Sequence, residues 1–258
     1  MSKDSTARVL GVAFVLCLVC SVLVSVAAVG LSERQQRNKL IEKRKNILQA
    51  AGLYQPEVPI EEQFKKIQPR IVDLQTGKFT DQFDPATFDS RAVARDPQLS
   101  DRIPPAQDLA AIKVRPRFMD VYLVFDAEHF QQLILPVYGK GLWSTMYGFI
   151  ALDKDLTTVN GFAFYEHGET PGLGGEVDNP AWKQQWPGKK IYGPEGRLRI
   201  EVLKGKVDSQ SPHAIYQVDG LAGATLTARG VSHLLQYWLG ENGYRTFFAQ
   251  LKEEGVNP

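Results

Sequence analysis

The sequence is poor in the residues that define several functional classes. Only two of its 258 residues are cysteines, Cys17 and Cys20. Both lie inside one apolar run, so the rest of the chain has no thiol for a disulfide framework. Spaced three apart, they share a helix face and could ligate a metal with a partner chain, but packing is their expected role. Cys20 follows Val19 rather than a small residue, which argues against a lipoprotein anchor. Charge of one sign is also missing. Thirty Lys and Arg against 29 Asp and Glu leave a net +1, with no pull toward nucleic acid. Of the four histidines, none has a second at ligand spacing, so no metal site is expected. Neither a Walker pattern nor GxGxxG occurs.

What is present begins with "VLGVAFVLCLVCSVLVSVAAVGL", Val9 to Leu31, an uncharged run long enough to span hydrocarbon as a helix. The small residues of Ser25–Ala28 would suit a signal peptidase, but the run stays apolar through Leu31 and passes without a break into a helical pattern. A retained anchor is expected at 9–31, after a short N-terminus at 1–8 and before a soluble domain at 32–258. Lys3 and Arg8 precede the run, whereas Arg34, Arg37, Lys39, Lys43, Arg44 and Lys45 follow it. By the positive-inside rule, that count puts the large C-terminal part in the cytoplasm.

Leu40, Ile41, Ile47, Leu48 and Ala51 repeat with a helical period, and Gly52 is the natural stop. Residues 56–116 are rich in proline and charge and read as an irregular insertion, with a hairpin fragment at Arg70–Phe79. Strand patterns follow at Val121–Phe125, Gln131–Gly139, Met146–Asp153 and Thr157–His167, then at Arg197–Gly205 and Ala214–Gly220. A helix is expected near Pro180–Trp186. Another follows Thr227, where Val231, Leu234, Leu235, Trp238 and Leu239 form an apolar stripe, and a last one covers Gly243–Lys252. The fold class is α+β: one N-terminal transmembrane helix, then a mostly antiparallel sheet with packed helices.

Three glycine-rich stretches contain residues that a plain loop does not need. "YGKGLWSTMYG" (Tyr138–Gly148) places Leu142, Trp143 and Ser144 between two strands, with Tyr138 and Tyr147 either in the core or walling a planar ligand. "HGETPGLGGE" (His167–Glu176) holds His167, Glu169, Thr170, Gly172, Leu173 and Gly174; close backbone approach there suits a ring system, with Leu173 as an apolar contact. "DGLAGATLT" (Asp219–Thr227) sets small residues before a helix start. Either Thr225 or Thr227 is an ordinary cap there, or a threonine hydroxyl meets a phosphate at the helix N-terminus.

The last two motifs together resemble the FMN-binding domain family, whose members carry flavin mononucleotide esterified through its phosphate to a threonine. "YGKGLWSTMYGFIALDKD", the single span and the proline-rich insertion resemble, within it, the C subunits of Na+-translocating NADH:quinone oxidoreductases, over nearly the whole chain. The resemblance implies covalent FMN on Thr225, with Gly223, Ala224, Leu226 and Thr227 around it, installed from FAD by a separate flavin transferase. The family commonly has serine or threonine where this chain has Ala222. It also implies an electron-transfer role in a complex that couples NADH oxidation and ubiquinone reduction to sodium export. The other subunits are then its partners, in a bacterial inner membrane with the flavin domain on the periplasmic side, against the charge count. No catalytic side chain is assigned, because redox chemistry would belong to the flavin. The alternatives are the G subunit of an Rnf-type complex, against which the insertion and "GLWSTMYG" argue, and an unmodified membrane-anchored assembly protein.

Overall fold

The structure, a computed structural model, describes residues 6–255. The chain divides into two compact units between Lys43 and Arg44. Helix α1, Thr6–Ala50, begins in the first and ends in the second. Its Arg8–Ser32 part is long and apolar enough to cross a membrane, and the apolar side chains from Val9 to Leu31 are exposed. In water such a surface would be strongly unfavourable, which accords with a lipid environment. Gly52 takes a φ of 68° just beyond the helix, where a side chain would be strained.

The second unit is built on one six-stranded antiparallel sheet ordered β2-β1-β5-β6-β7-β8. After the short helix α2 (Ile60–Gln63), the strands are β1 (Ile67–Asp73) and β2 (Lys78–Thr80), then, after α3 (Ser90–Val93), the separate β3–β4 hairpin (Ser100–Arg102 and Val114–Pro116). Next come β5 (Phe118–Asp126), β6 (His129–Lys140), β7 (Thr145–Asp153) and β8 (Val159–Glu166). The segment 56–116 is therefore less irregular than its composition suggests. β1 is an inner strand, paired along its whole length with β5, and its Ile71 and Val72 are fully buried. The hairpin fragment expected at Arg70–Phe79 is the β1–β2 pair; what proline and charge hid is that β1 also pairs with a strand about fifty residues downstream.

The central strands read as nearly continuous apolar runs because both sheet faces are covered. On one face Val121, Leu123, Leu133, Leu135, Val137, Ile150 and Leu152 pack with α5 (Thr225–Trp238) and α6 (Arg245–Glu254). On the other, Tyr122, Val124, Ile134, Phe149 and Ala151 pack with Ile47, Leu48, Ala50 and Ala51 at the end of α1. The alternation follows from the two-residue side-chain period of a strand. Between β8 and α5 the chain carries α4 (Pro180–Lys183) and two strands of two residues, β9 (Glu201–Val202) and β10 (Gln217–Val218). The strands expected at 197–205 and 214–220 thus shrink to a parallel pair outside the main sheet. Tyr192, Trp182 and Trp186 fill that region with side chains rather than ladder bonds.

Candidate functional site

Helix α5 is 14 residues long and starts at Thr225, earlier than the start expected after Thr227. Neither threonine caps it. Ala224 occupies the cap position and its side chain accepts no hydrogen bond. The first bond into the helix runs from the Ala228 N–H to the Ala224 carbonyl. Among the described residues, the N–H groups of Thr225, Leu226 and Thr227 have no protein acceptor, and they carry the positive end of the helix dipole. Gly223, with φ at 71°, makes the turn into this start. The turn is held from behind: the Asp219 carboxylate accepts from the Val207 N–H at 2.7 Å, and its carbonyl accepts from the Trp182 indole N–H at 2.8 Å.

The two threonines differ in burial. Thr225 is half-buried at the surface, while Thr227 is fully buried and donates its hydroxyl to Glu169 Oε2 at 2.6 Å. Glu169, 5% exposed, also accepts from the N–H groups of Leu142, Trp143 and Ser144 in the β6–β7 turn, at 3.2, 2.9 and 3.2 Å. The Gly168 N–H donates to the Ser144 hydroxyl at 2.6 Å. Leu173 lies over Gly223, where a Cβ would meet its Cδ2 at 2.9 Å. All three glycine-rich stretches therefore meet at the start of α5. Leu142, Trp143, Leu173 and Leu226, each more than two-fifths exposed, give the meeting point an apolar outer surface.

Other expected site residues serve the scaffold. His167 donates from Nε2 to Asp178 at 2.8 Å and accepts the Glu169 N–H on Nδ1 at 3.2 Å. Its ring thus orients the loop. The Thr170 carbonyl accepts from the Leu173 and Gly175 N–H groups, closing the turn that contains Gly172, whose φ is 75°. Tyr138 and Tyr147 are a stacked cross-strand pair, 5.4 Å between centroids. Tyr138 also packs on Trp238 at the far end of α5, about 20 Å of helix from Thr225. Tyr138 packs against the core and Tyr147 lies under the Arg91 guanidinium, 3.6 Å from its ring centroid, leaving Trp143 as the aromatic at the hairpin tip.

Two residues outside the expected set matter. A Cβ at Gly230 would lie 2.5 Å from the Lys140 carbonyl oxygen, so the β6–β7 hairpin touches the α5 backbone there. Gly141 leaves the space that the Glu169 carboxylate fills. Gly141 lies within the first glycine-rich stretch and Gly230 just past the third, and close approach is the usual reason for glycine at such positions.

A family model described as FMN-binding domain matches residues 141–240, from the β6–β7 turn to just past α5. The chain is 52% identical to the C subunit of the Na(+)-translocating NADH-quinone reductase of Pseudomonas aeruginosa, over 98% of each chain. It is 48% identical to that of Yersinia pestis, over 98% of this chain and 95% of that one. The crystal structure of Shewanella oneidensis NqrC superposes with a TM-score of 0.78 at 36% identity, covering 84% of this chain and 99% of that one. These matches extend through the proline-rich segment and do not favour the Rnf-type or the unmodified reading. With the sheet, the motif geometry and nearly full-length identity in agreement, the chain belongs to the family formed by the C subunits of Na(+)-translocating NADH-quinone reductases.

Proposed function

We propose that this chain carries flavin mononucleotide as a phosphoester on Thr225 and relays electrons within a sodium-translocating NADH:quinone reductase. One observation carries the attachment: a half-buried threonine heads a helix whose first three N–H groups have no acceptor among the described residues. A phosphate on that hydroxyl would meet the uncapped donors and the positive dipole end. Leu142, Trp143, Leu173 and Leu226 would cover an apolar ring. The flavin would supply the redox chemistry; the protein supplies attachment, orientation and shielding from water. In the attaching step the Thr225 hydroxyl gives up its proton and bonds to the flavin-side phosphorus of FAD, and AMP leaves, under a separate transferase.

The remaining subunits of the complex are its partners, and α1 is its single-pass anchor. We place it in the inner membrane with the second unit on the periplasmic side, where an esterified cofactor cannot be lost by diffusion. The test is coexpression with flavin transferase followed by peptide mass spectrometry. The peptide containing Thr225 should gain the mass of an FMN phosphoester, and Thr225→Ala should lose it while keeping the fold. In-gel flavin fluorescence that persists in Thr225→Ala would reject the site.

A further inference from the structure

Glu169 occupies the centre of this site without facing its open side. Oε1 accepts from the N–H groups of Trp143 and Ser144, and Oε2 accepts from the Leu142 N–H and the Thr227 hydroxyl. Three consecutive amides and one hydroxyl thus cage a single anion. Two glycines make room for it: a Cβ at Gly141 would lie 2.6 Å from Oε1, and one at Gly174 would lie 2.8 Å from Oε2 and 2.6 Å from Thr227 Oγ1. The caged segments are the turn bearing Leu142 and Trp143, the loop bearing Leu173, and the first turn of α5 bearing Thr225.

Two residues along a helix turn the side-chain direction by about 200°. The inward hydrogen bond of Thr227 therefore sets the outward aim of Thr225. We propose that Glu169, acting through Thr227, is the positioning residue that aims the Thr225 hydroxyl outward and holds both flanking loops in register with it. This rests on the flavin-attachment reading. Glu169 does not act as the base for esterification, because it is buried and its acceptor capacity is spent on inward donors. Burial pushes its carboxyl up, but the Thr227 hydroxyl and the Trp143, Ser144 and Leu142 amides outweigh this and hold it below the ordinary carboxylate range. It is an anion at neutral pH, and such a buried anion tolerates the loss of a donor poorly.

The test uses the full-length protein purified without flavin, then given transferase and FAD, with covalent flavin read by in-gel fluorescence. Thr227→Val keeps the shape and removes the donor; its initial rate of incorporation should fall by at least about tenfold. Thr227→Ser, which restores the hydroxyl, should return to within about twofold of the native rate. Glu169→Gln keeps the size but opposes a donor to donors, and it should also be slow. Thr227→Val at the native rate, or Thr227→Ser as slow as Thr227→Val, overturns the proposal. Should Thr227→Val fail to fold by circular dichroism, Glu169→Gln decides, and incorporation at the native rate overturns the proposal. Native protein that takes up no label would instead remove the flavin reading itself.

Discussion

Glu169 shows how one side chain can link segments that lie far apart in sequence. As a residue of a glycine-rich loop it invites a ligand reading, yet in the fold its four donors come from two other segments. Its folded carboxyl titrates below the ordinary value, so its contribution to stability is present above about pH 4.3 and is lost as pH falls through its lower folded value. Wild-type thermal midpoints should therefore decline more steeply below about pH 4 than those of Glu169→Gln. Parallel declines would mean that the cage contributes nothing to acid stability. The motif singled out Glu169. Its inward direction was not legible, because a loop sequence carries no periodicity to say which way a side chain points.

Helix α5 joins the fold to the site. Its apolar stripe at Val231, Leu234, Leu235 and Trp238 was readable from spacing alone, and all four are fully buried against the sheet. Leu234 also touches the hairpin, since a Cβ at Gly139 would lie 2.6 Å from its Cβ. Leu234→Ala should destabilise the domain by about 2–5 kcal/mol in chemical denaturation. The fraction that remains folded should still accept flavin, because the cavity lies more than two turns from Thr225. Loss of labelling in folded protein would mean that the first turn depends on packing along the whole helix. At the head of α5 motif reading left two alternatives open, a threonine cap or a phosphate-bearing threonine; Thr225 and Thr227 are good capping residues by type, but Ala224 holds the cap position and no side chain caps the helix.

At the scale of the whole molecule, a basic stretch following the apolar run opposes the orientation that the flavin reading requires. Arg34, Arg37 and Lys39 follow the run, and the positive-inside rule would keep them in the cytoplasm. Yet Arg44 and Lys45 lie over the rings of Phe64 and Tyr54, at 5.0 and 5.4 Å, so part of the counted charge belongs to the folded unit. Long folded segments obey the charge rule weakly. A reporter active only in the periplasm, fused to the C-terminus, should be active, and its cytoplasmic counterpart silent. The reverse pattern would overturn the proposed side of the membrane and the reason given for covalent attachment.

The sequence by itself determined the apolar span, the four long strands from β5 to β8, the stripe of α5, and the three glycine-rich stretches. Each of these is written in local periodicity or in residue types with restricted backbone behaviour. Only the tertiary structure decided that β1, inside the proline-rich segment, is an inner strand, and that the pieces at 197–205 and 214–220 stay outside the main sheet. It alone buried Thr227 against Glu169 and left Thr225 half-buried, and it closed the three stretches around one carboxylate. Those outcomes depend on pairings between distant segments, and such pairings are chosen by burial and hydrogen-bond satisfaction across the whole domain, which no local window contains.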